Sequence, residues 1–228
     1  MIPELIHRLT ESLARRNRQK RYRVDDCPAK VNLGSGLLVA PGWINIDMGW
    51  YPPLRHLPRP FLSYLHGRSG WASLISADQY ASVLKTQRFI HHDLRLGLPL
   101  DDNSVDFLFA SHFLDSMIHS DGERLIADTY RVLKPGGALR VSVSDFDRNV
   151  DLYRSGRRQE ALARFFPNSI SPLGRRYCIY DYVMLESALS AAGFVEIARC
   201  NYREGRVPDL QWLDNRPEES LFVEAVKR

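Results

Sequence analysis

Seven short apolar runs, the first five closed by Gly, Asp or Ser, set the tightest limit on how this chain can fold. Lys30–Leu33 ends in Gly34-Ser35-Gly36, Trp43–Ile46 in Asp47, and Arg88–His92 in Asp93. Val105–Ala110 and Ala138–Ser144 follow, and Val195–Cys200 and Leu221–Val226 complete the set. Helical text lies between them. Ser120-Asp121-Gly122-Glu123 has the spacing of a capping box ahead of Leu125, Ile126, Tyr130 and Leu133, and Lys134-Pro135-Gly136-Gly137 stops that helix. A second helix starts near Asp181, carries Met184, Leu185, Ala188, Leu189 and Ala192 at helical spacing, and ends at Gly193. Strands that alternate with helices predict a mostly parallel sheet with helices on both faces, a three-layer α/β fold.

The 228 residues suit one domain, read here as residues 25–228, behind an arm of residues 1–24. The arm holds seven basic residues against two acidic, whereas the remaining 204 hold 24 basic against 25 acidic. A positive field confined to an arm speaks against a nucleic-acid-binding body. Residues 4–20 read as an amphipathic helix, with Leu5, Ile6, Leu9 and Leu13 on one face, that caps its own domain. A peripheral membrane contact or an RNA contact through that arm is the alternative. No apolar run approaches the ~20 residues of a membrane-spanning helix. The N-terminus lacks the pattern of a secretory leader, and three scattered cysteines, Cys27, Cys178 and Cys200, suit a reducing cytoplasm. His91-His92 alternates faces on a strand, so no metal site is expected there.

The Gly-x-Gly at the end of a first strand lets backbone pass close to a ligand, and ligands of open α/β sheets sit at the carboxyl edge. Acids closing the next two strands, Asp47 and Asp93, strengthen that reading, because a carboxylate there can accept both hydroxyls of a ribose. A dinucleotide fold needs a third small residue and an acid ~20 residues on. Here Asp47 follows Gly36 by 11 residues. A phosphate-binding P-loop and a Gly-x-Ser-x-Gly elbow are both absent.

Several segments together are recognisable. They are Val31-Asn32-Leu33-Gly34-Ser35-Gly36, Pro41-Gly42-Trp43-Ile44-Asn45-Ile46-Asp47, and Leu98-Pro99-Leu100-Asp101-Asp102-Asn103-Ser104-Val105-Asp106. Ser111-His112-Phe113-Leu114-Asp115 and Arg131-Val132-Leu133-Lys134-Pro135-Gly136-Gly137 continue the pattern, and Asp214-Asn215-Arg216 opens its last piece. On these the chain resembles the class I S-adenosylmethionine-dependent methyltransferases, within them the small methyltransferase type 11-like branch, over residues 30–48 and 88–228. The resemblance implies a seven-stranded Rossmann-like sheet with a reversed last strand. It implies S-adenosylmethionine as cofactor, with Leu33, Gly34, Ser35 and Gly36 along its methionine part. Asp47 would then take the ribose hydroxyls, Asp93 and Leu94 would flank the adenine, Ser111 would sit at the amino group, and Met48 would also touch the cofactor. Only Leu37–Gly42 separates the glycines from strand two, so the first crossover helix is expected to be shortened or lost.

A hydroxyl acceptor calls for a general base, and the candidates at the edge of strands four and five are His112, Asp115, His119 and Asp145. Many relatives read Leu-Glu-His where this chain has Leu114-Asp115-Ser116, which leaves a catalytically inactive cofactor-binding scaffold as an alternative to an enzyme. The insertion of residues 48–87 is rich in proline, aromatics and base. Arg55, Arg59, Phe61 and Tyr64 are expected to meet a small-molecule or saccharide acceptor, with Arg216 as an anion clamp or a loop-fixing ion pair. The alternative for the insertion is a satellite core or a homodimer contact.

Overall fold

The computed structural model describes residues 20–166 and 176–228, so the helix expected over residues 4–20 lies outside the described residues. The strands are β1 (Lys30–Leu33), β2 (Ile44–Asp47), β3 (Arg88–His91), β4 (Val105–Ser111), β5 (Leu133–Ser144), β6 (Phe194–Cys200) and β7 (Ser220–Lys227). They form one sheet in the order β3-β2-β1-β4-β5-β7-β6. β1 to β5 run parallel, and β7 enters antiparallel between β5 and β6. This is the expected seven-stranded sheet with a reversed last strand.

Alternation along the strands divides the molecule into two unlike faces. Val31, Leu33, Ile44, Ile46, Leu108, Ala110, Leu139, Val141, Val143, Leu221, Val223 and Ala225 point into one main core. There they meet Leu125, Ile126 and Val132, and also Leu185 and Leu189, from the helices His119–Val132 and Tyr182–Ala191. The second helix starts where the sequence places it: Asp181 caps it by accepting from the Met184 N–H at 2.7 Å. The first departs from its expected start. It begins at His119 with no side-chain cap, and Glu123 pairs with His119 at 3.3 Å instead of reaching back to Ser120.

The other face is thinner. Ala40, Trp43, Phe109, Ala138, Val207, Leu210 and Leu213 make a small second core over β4 and β5. No helix joins β1 to β2 among the described residues, as the short connection requires. The insertion supplies the missing cover: its helices Arg59–His66 and Ala77–Thr86 bring Leu62, Tyr80, Ala81 and Leu84 around Leu37, with Tyr51 packing on Phe89 of β3. Ser76 and Gln79 form a reciprocal capping box at the start of the second of these helices. Between the strands beneath, Asn32 donates to Asn45 at 3.2 Å, and Asn45 donates to the Trp43 and Arg88 carbonyls.

The Leu-Lys-Pro-Gly-Gly segment ends its helix and also bulges β5. Pairing jumps from Val105–Leu133 to Phe107–Ala138, so residues 134–137 loop out. Gly137 is required there, since a Cβ would lie 2.9 Å from the Lys134 carbonyl and 3.0 Å from that of Asp106.

Candidate active site

A cavity of about 180 Å³ opens at the carboxyl ends of β1 and β4, and Asp47 at the end of β2 lies outside its lining. Asn32, Gly34, Ser35, Gly36, Ser111, His112, Asn215 and Arg216 line it, with Trp71 from the insertion. Gly34 and Gly36 turn the chain with φ of 59° and 51°, a conformation that disfavours side chains. Gly36 donates its N–H to Asp47 at 2.9 Å, and Gly49 donates to the other carboxylate oxygen at 2.6 Å. Burial pushes the Asp47 carboxyl above its ordinary range, against the pull of those two amides. A carboxylate offers about four acceptor positions, so two remain for a ligand.

Two aromatic rings cover the glycines. A Cβ on Gly34 would fall 2.2 Å from the Phe113 ring, and one on Gly36 would fall 2.6 Å from Trp71. Neither ring is singled out for the site by the sequence: Trp71 opens the stretch, roughly to Leu84, that reads as a helix crossing to the third strand, and Phe113 is one apolar residue of the segment Ser111–Asp115. The cavity is smaller than the ~300 Å³ at which ligand clefts begin. The acceptor positions left on Asp47 suit the hydroxyls of a ribose, while the neighbouring cavity is smaller than a ligand of that size needs.

Beside the cradle, Ser111 Oγ accepts from Ser142 at 2.8 Å and from the Asn215 amide at 3.0 Å. Met48 lies at the exit of β2, its sulfur 4.0 Å from Arg95. Asp93 is held by Arg95, which donates Nε at 2.9 Å and Nη2 at 2.7 Å. Burial pushes the Asp93 carboxyl up, but Arg95 outweighs it and holds the group below its ordinary range. Leu94 and Leu33 are buried in the main core.

The four base candidates separate. His112 alone lines the cavity; it holds a left-handed φ of 49° and contacts Ser220 Oγ through Nε2 at 2.9 Å. Backbone strain of this kind persists where the surroundings enforce it, often at functional sites. Its Nδ1 has no hydrogen-bond partner and stands 3.7 Å from Asp115, an ion-pair distance rather than a hydrogen bond. Asp115 is fully buried with Arg176 at 3.3 Å. Burial raises its pKa, yet His112, Arg176 and the Ser144 N–H together bring it below the ordinary value. Asp145 caps the helix Phe146–Arg154, and His119 sits half-exposed at a helix start.

A carboxyl depressed in the folded state contributes stability above its unfolded pKa and loses it as pH falls through the folded one. Asp115→Asn is therefore expected to be less stable than the wild type at pH 7. Denaturant titrations should show that gap shrinking below about pH 4, and a constant gap down to pH 2 would refute the ion-pair account.

Of the acceptor candidates only Arg216 reaches the cavity, where it also pairs with Glu219 at 3.2 Å. Arg55 and Arg59 are exposed. Phe61 and Tyr64 stack on each other at 6.1 Å beside Pro58 and Pro60, in a separate surface depression. Arg68 lies 3.8 Å over the Tyr64 ring. Asp214 is bound by Arg140, not by Arg216.

Residues 61–141, just over a third of the chain, match the family described as "Methyltransferase domain". That match begins after Gly34, Gly36 and Asp47. Among solved structures, a SAM-dependent methyltransferase of Thermotoga maritima is 17% identical with a TM-score of 0.49, covering 98% of this chain and 92% of its own. A chain from the complex of the Haloferax volcanii Trm112 methyltransferase activator with a methyltransferase is 15% identical, TM-score 0.49, covering 93% and 87%. The Haemonchus contortus phosphoethanolamine N-methyltransferase 2, solved with S-adenosyl-L-methionine, is 13% identical, TM-score 0.44, covering 96% of this chain and 52% of its own. Likenesses this distant leave the ligands of this chain to be argued from its own residues.

Proposed function

We propose that this chain, with its methyltransferase fold and its domain match over residues 61–141, binds S-adenosylmethionine and transfers the methyl group to a small-molecule or saccharide-type acceptor. The observation that carries this is the cradle itself: two left-handed glycines closing β1, tied through the Gly36 N–H to the carboxylate that closes β2. Asp47 would accept the ribose hydroxyls with its two remaining positions. Gly34, Ser35 and Gly36 would let the methionine portion approach backbone, with Ser111 at its amino end. Met48, Asp93 and Leu94 would flank the adenine.

S-adenosylmethionine supplies a methyl group already activated on a sulfonium, so the protein's work is positioning and exclusion of water. Where the acceptor is a hydroxyl, His112 would take its proton, exchanging its Ser220 contact for the acceptor. Asp115 would steady the charged ring. Residues 48–77 contain three arginines and no acidic residue, and Arg216 lines the cavity, a charge balance that suits an acceptor bearing anionic groups. Arg21, one of the basic residues of the arm, donates to the Leu98 and Leu100 carbonyls, a structural use that does not favour an RNA role.

Titration calorimetry with S-adenosylhomocysteine tests the cofactor reading: saturable one-to-one binding is expected, and no heat at millimolar ligand would end it. Labelled methyl transfer to a panel of sugars and small acids tests the acceptor. Phe61→Ser combined with Tyr64→Ser is expected to leave melting and cofactor affinity alone, since both rings are about half-exposed, and to lower kcat/KM by about tenfold or more, the size of one lost aromatic contact. Unchanged turnover would move acceptor recognition to His112 and Arg216.

A further inference from the structure

His119, separated from the cavity, has a different partner. Its Nδ1 lies 3.8 Å from the Cys178 sulfur, and its Nε2 lies 3.3 Å from Glu123 one helical turn on. A carboxylate can only accept, so Glu123 holds the Nε2 proton and leaves Nδ1 as a lone pair facing the thiol. A third side chain closes the group from behind. Tyr180 is buried, 1% exposed, and its hydroxyl has no hydrogen-bond partner. Burial first, and then the neighbouring Cys178, push its ionisation well up, so it stays a neutral donor beside the sulfur. The Tyr180 and His119 rings are 6.2 Å apart. Asp115 and Glu123 are the charged groups that act on the neighbouring Tyr180 hydroxyl, and the Asp115 carbonyl accepts the Cys178 N–H at 3.2 Å. The imidazole is half-exposed and the thiol partly so, which leaves room for a small reagent.

We propose that Cys178 is a base-activated thiol, a modification site for low-molecular-weight disulfides, with His119 as its base and Glu123 as the residue that orients the base. The thiol proton passes to His119 Nδ1, and the thiolate attacks one sulfur of the disulfide. The disulfide bond breaks as the Cys178–sulfur bond forms, and the departing thiolate takes the proton back from the imidazolium as a free thiol. The disulfide is the only oxidant, and sulfur, electrons and proton balance. Because Tyr177 and Cys178 both hang on the Asp115 carbonyl, an added group at Cys178 bears directly on the Asp115–Arg176 pair.

The test is exchange of the native protein with oxidised glutathione at pH 7.5, read by intact and peptide mass spectrometry. Cys27 is exposed and contacts no imidazole among the described residues, so it serves as the internal control. Cys178 is expected to react at least tenfold faster than Cys27 despite its lesser exposure. His119→Gln should slow Cys178 about tenfold and Glu123→Gln several-fold, with the Cys27 rate constant throughout. Equal rates at Cys178 and Cys27 in the wild type overturn the proposal, as does an unchanged Cys178 rate in His119→Gln. Should His119→Gln loosen the fold, Cys200 labelling will rise with it, and the half-exposed Glu123→Gln change then decides by the same criterion.

Discussion

Arg140→Met is expected to destabilise the protein by about 3–5 kcal/mol, the cost of stranding a buried counter-charge. Arg140 is wholly buried in the middle of β5, and all five of its N–H donors are used. Two fork onto Asp214 at 2.9 and 2.6 Å, one reaches Glu224 at 3.1 Å, and two reach the Glu204 and Asn201 carbonyls at 2.9 Å each. The carboxylates in turn accept the backbone N–H groups of Arg203, Arg206 and Val207. The network pins the whole connection between β6 and β7 onto the thinner face of the sheet. Methionine fills much of the volume but leaves two carboxylates without a cation. In a chain of this size the melting temperature should fall by roughly 6–20 °C, at ~2–4 °C per kcal/mol. Asn215 and Arg216, next to Asp214, line the cavity, so ligand affinity should fall in the same variant. A loss below 1 kcal/mol by denaturant titration would show that the loop is held by its apolar contacts alone.

Asp47→Ala is expected to weaken binding of S-adenosylhomocysteine by ~2–4 kcal/mol, about 30- to 1000-fold, at ~1–2 kcal/mol for each hydrogen bond to a charged group. The same change strands the Gly36 and Gly49 amides, so calorimetry should be paired with thermal melts. Asp47→Asn keeps one good acceptor and should fall between the two. The pH dependence has a definite sign. Burial raises the Asp47 pKa, so the folded chain holds this proton more tightly than the unfolded one. Ionised Asp47 therefore opposes folding, and its contribution to stability declines as pH rises from the unfolded value through the folded one. Ligand affinity runs the other way, because only the ionised carboxylate accepts two hydroxyls. Affinity is expected to fall on acidification at a higher pH than an ordinary carboxylate would give. Affinity that is flat from pH 7 to pH 4 would remove Asp47 from the site.

The sequence by itself determined the sheet. Short apolar runs alternating with helices admit little else, and the six residues between Gly36 and Trp43 leave no space for a crossover helix. It also located the cradle, because a Gly-x-Gly and a strand-ending Asp are local signals: their chemistry lies in the residues and their place at a strand end. What only the tertiary structure decided is who meets whom across the chain. Arg140 reads as an ordinary outward position on a strand; it is buried because that face carries loops rather than a helix, and loops bring acids and carbonyls. Asp214 pairs with Arg140, 74 residues away, where its sequence neighbour Arg216 was the nearer cation. Trp71 reaches the glycines because the insertion must fold back to cover the face left bare by the missing helix. His112 and His119 look alike in sequence, seven residues apart. A left-handed turn at His112 keeps one in the cavity, while the helix starting at His119 carries the other around to Cys178. Side-chain pairing depends on register and on the direction of each element, and neither is written in any local stretch of residues.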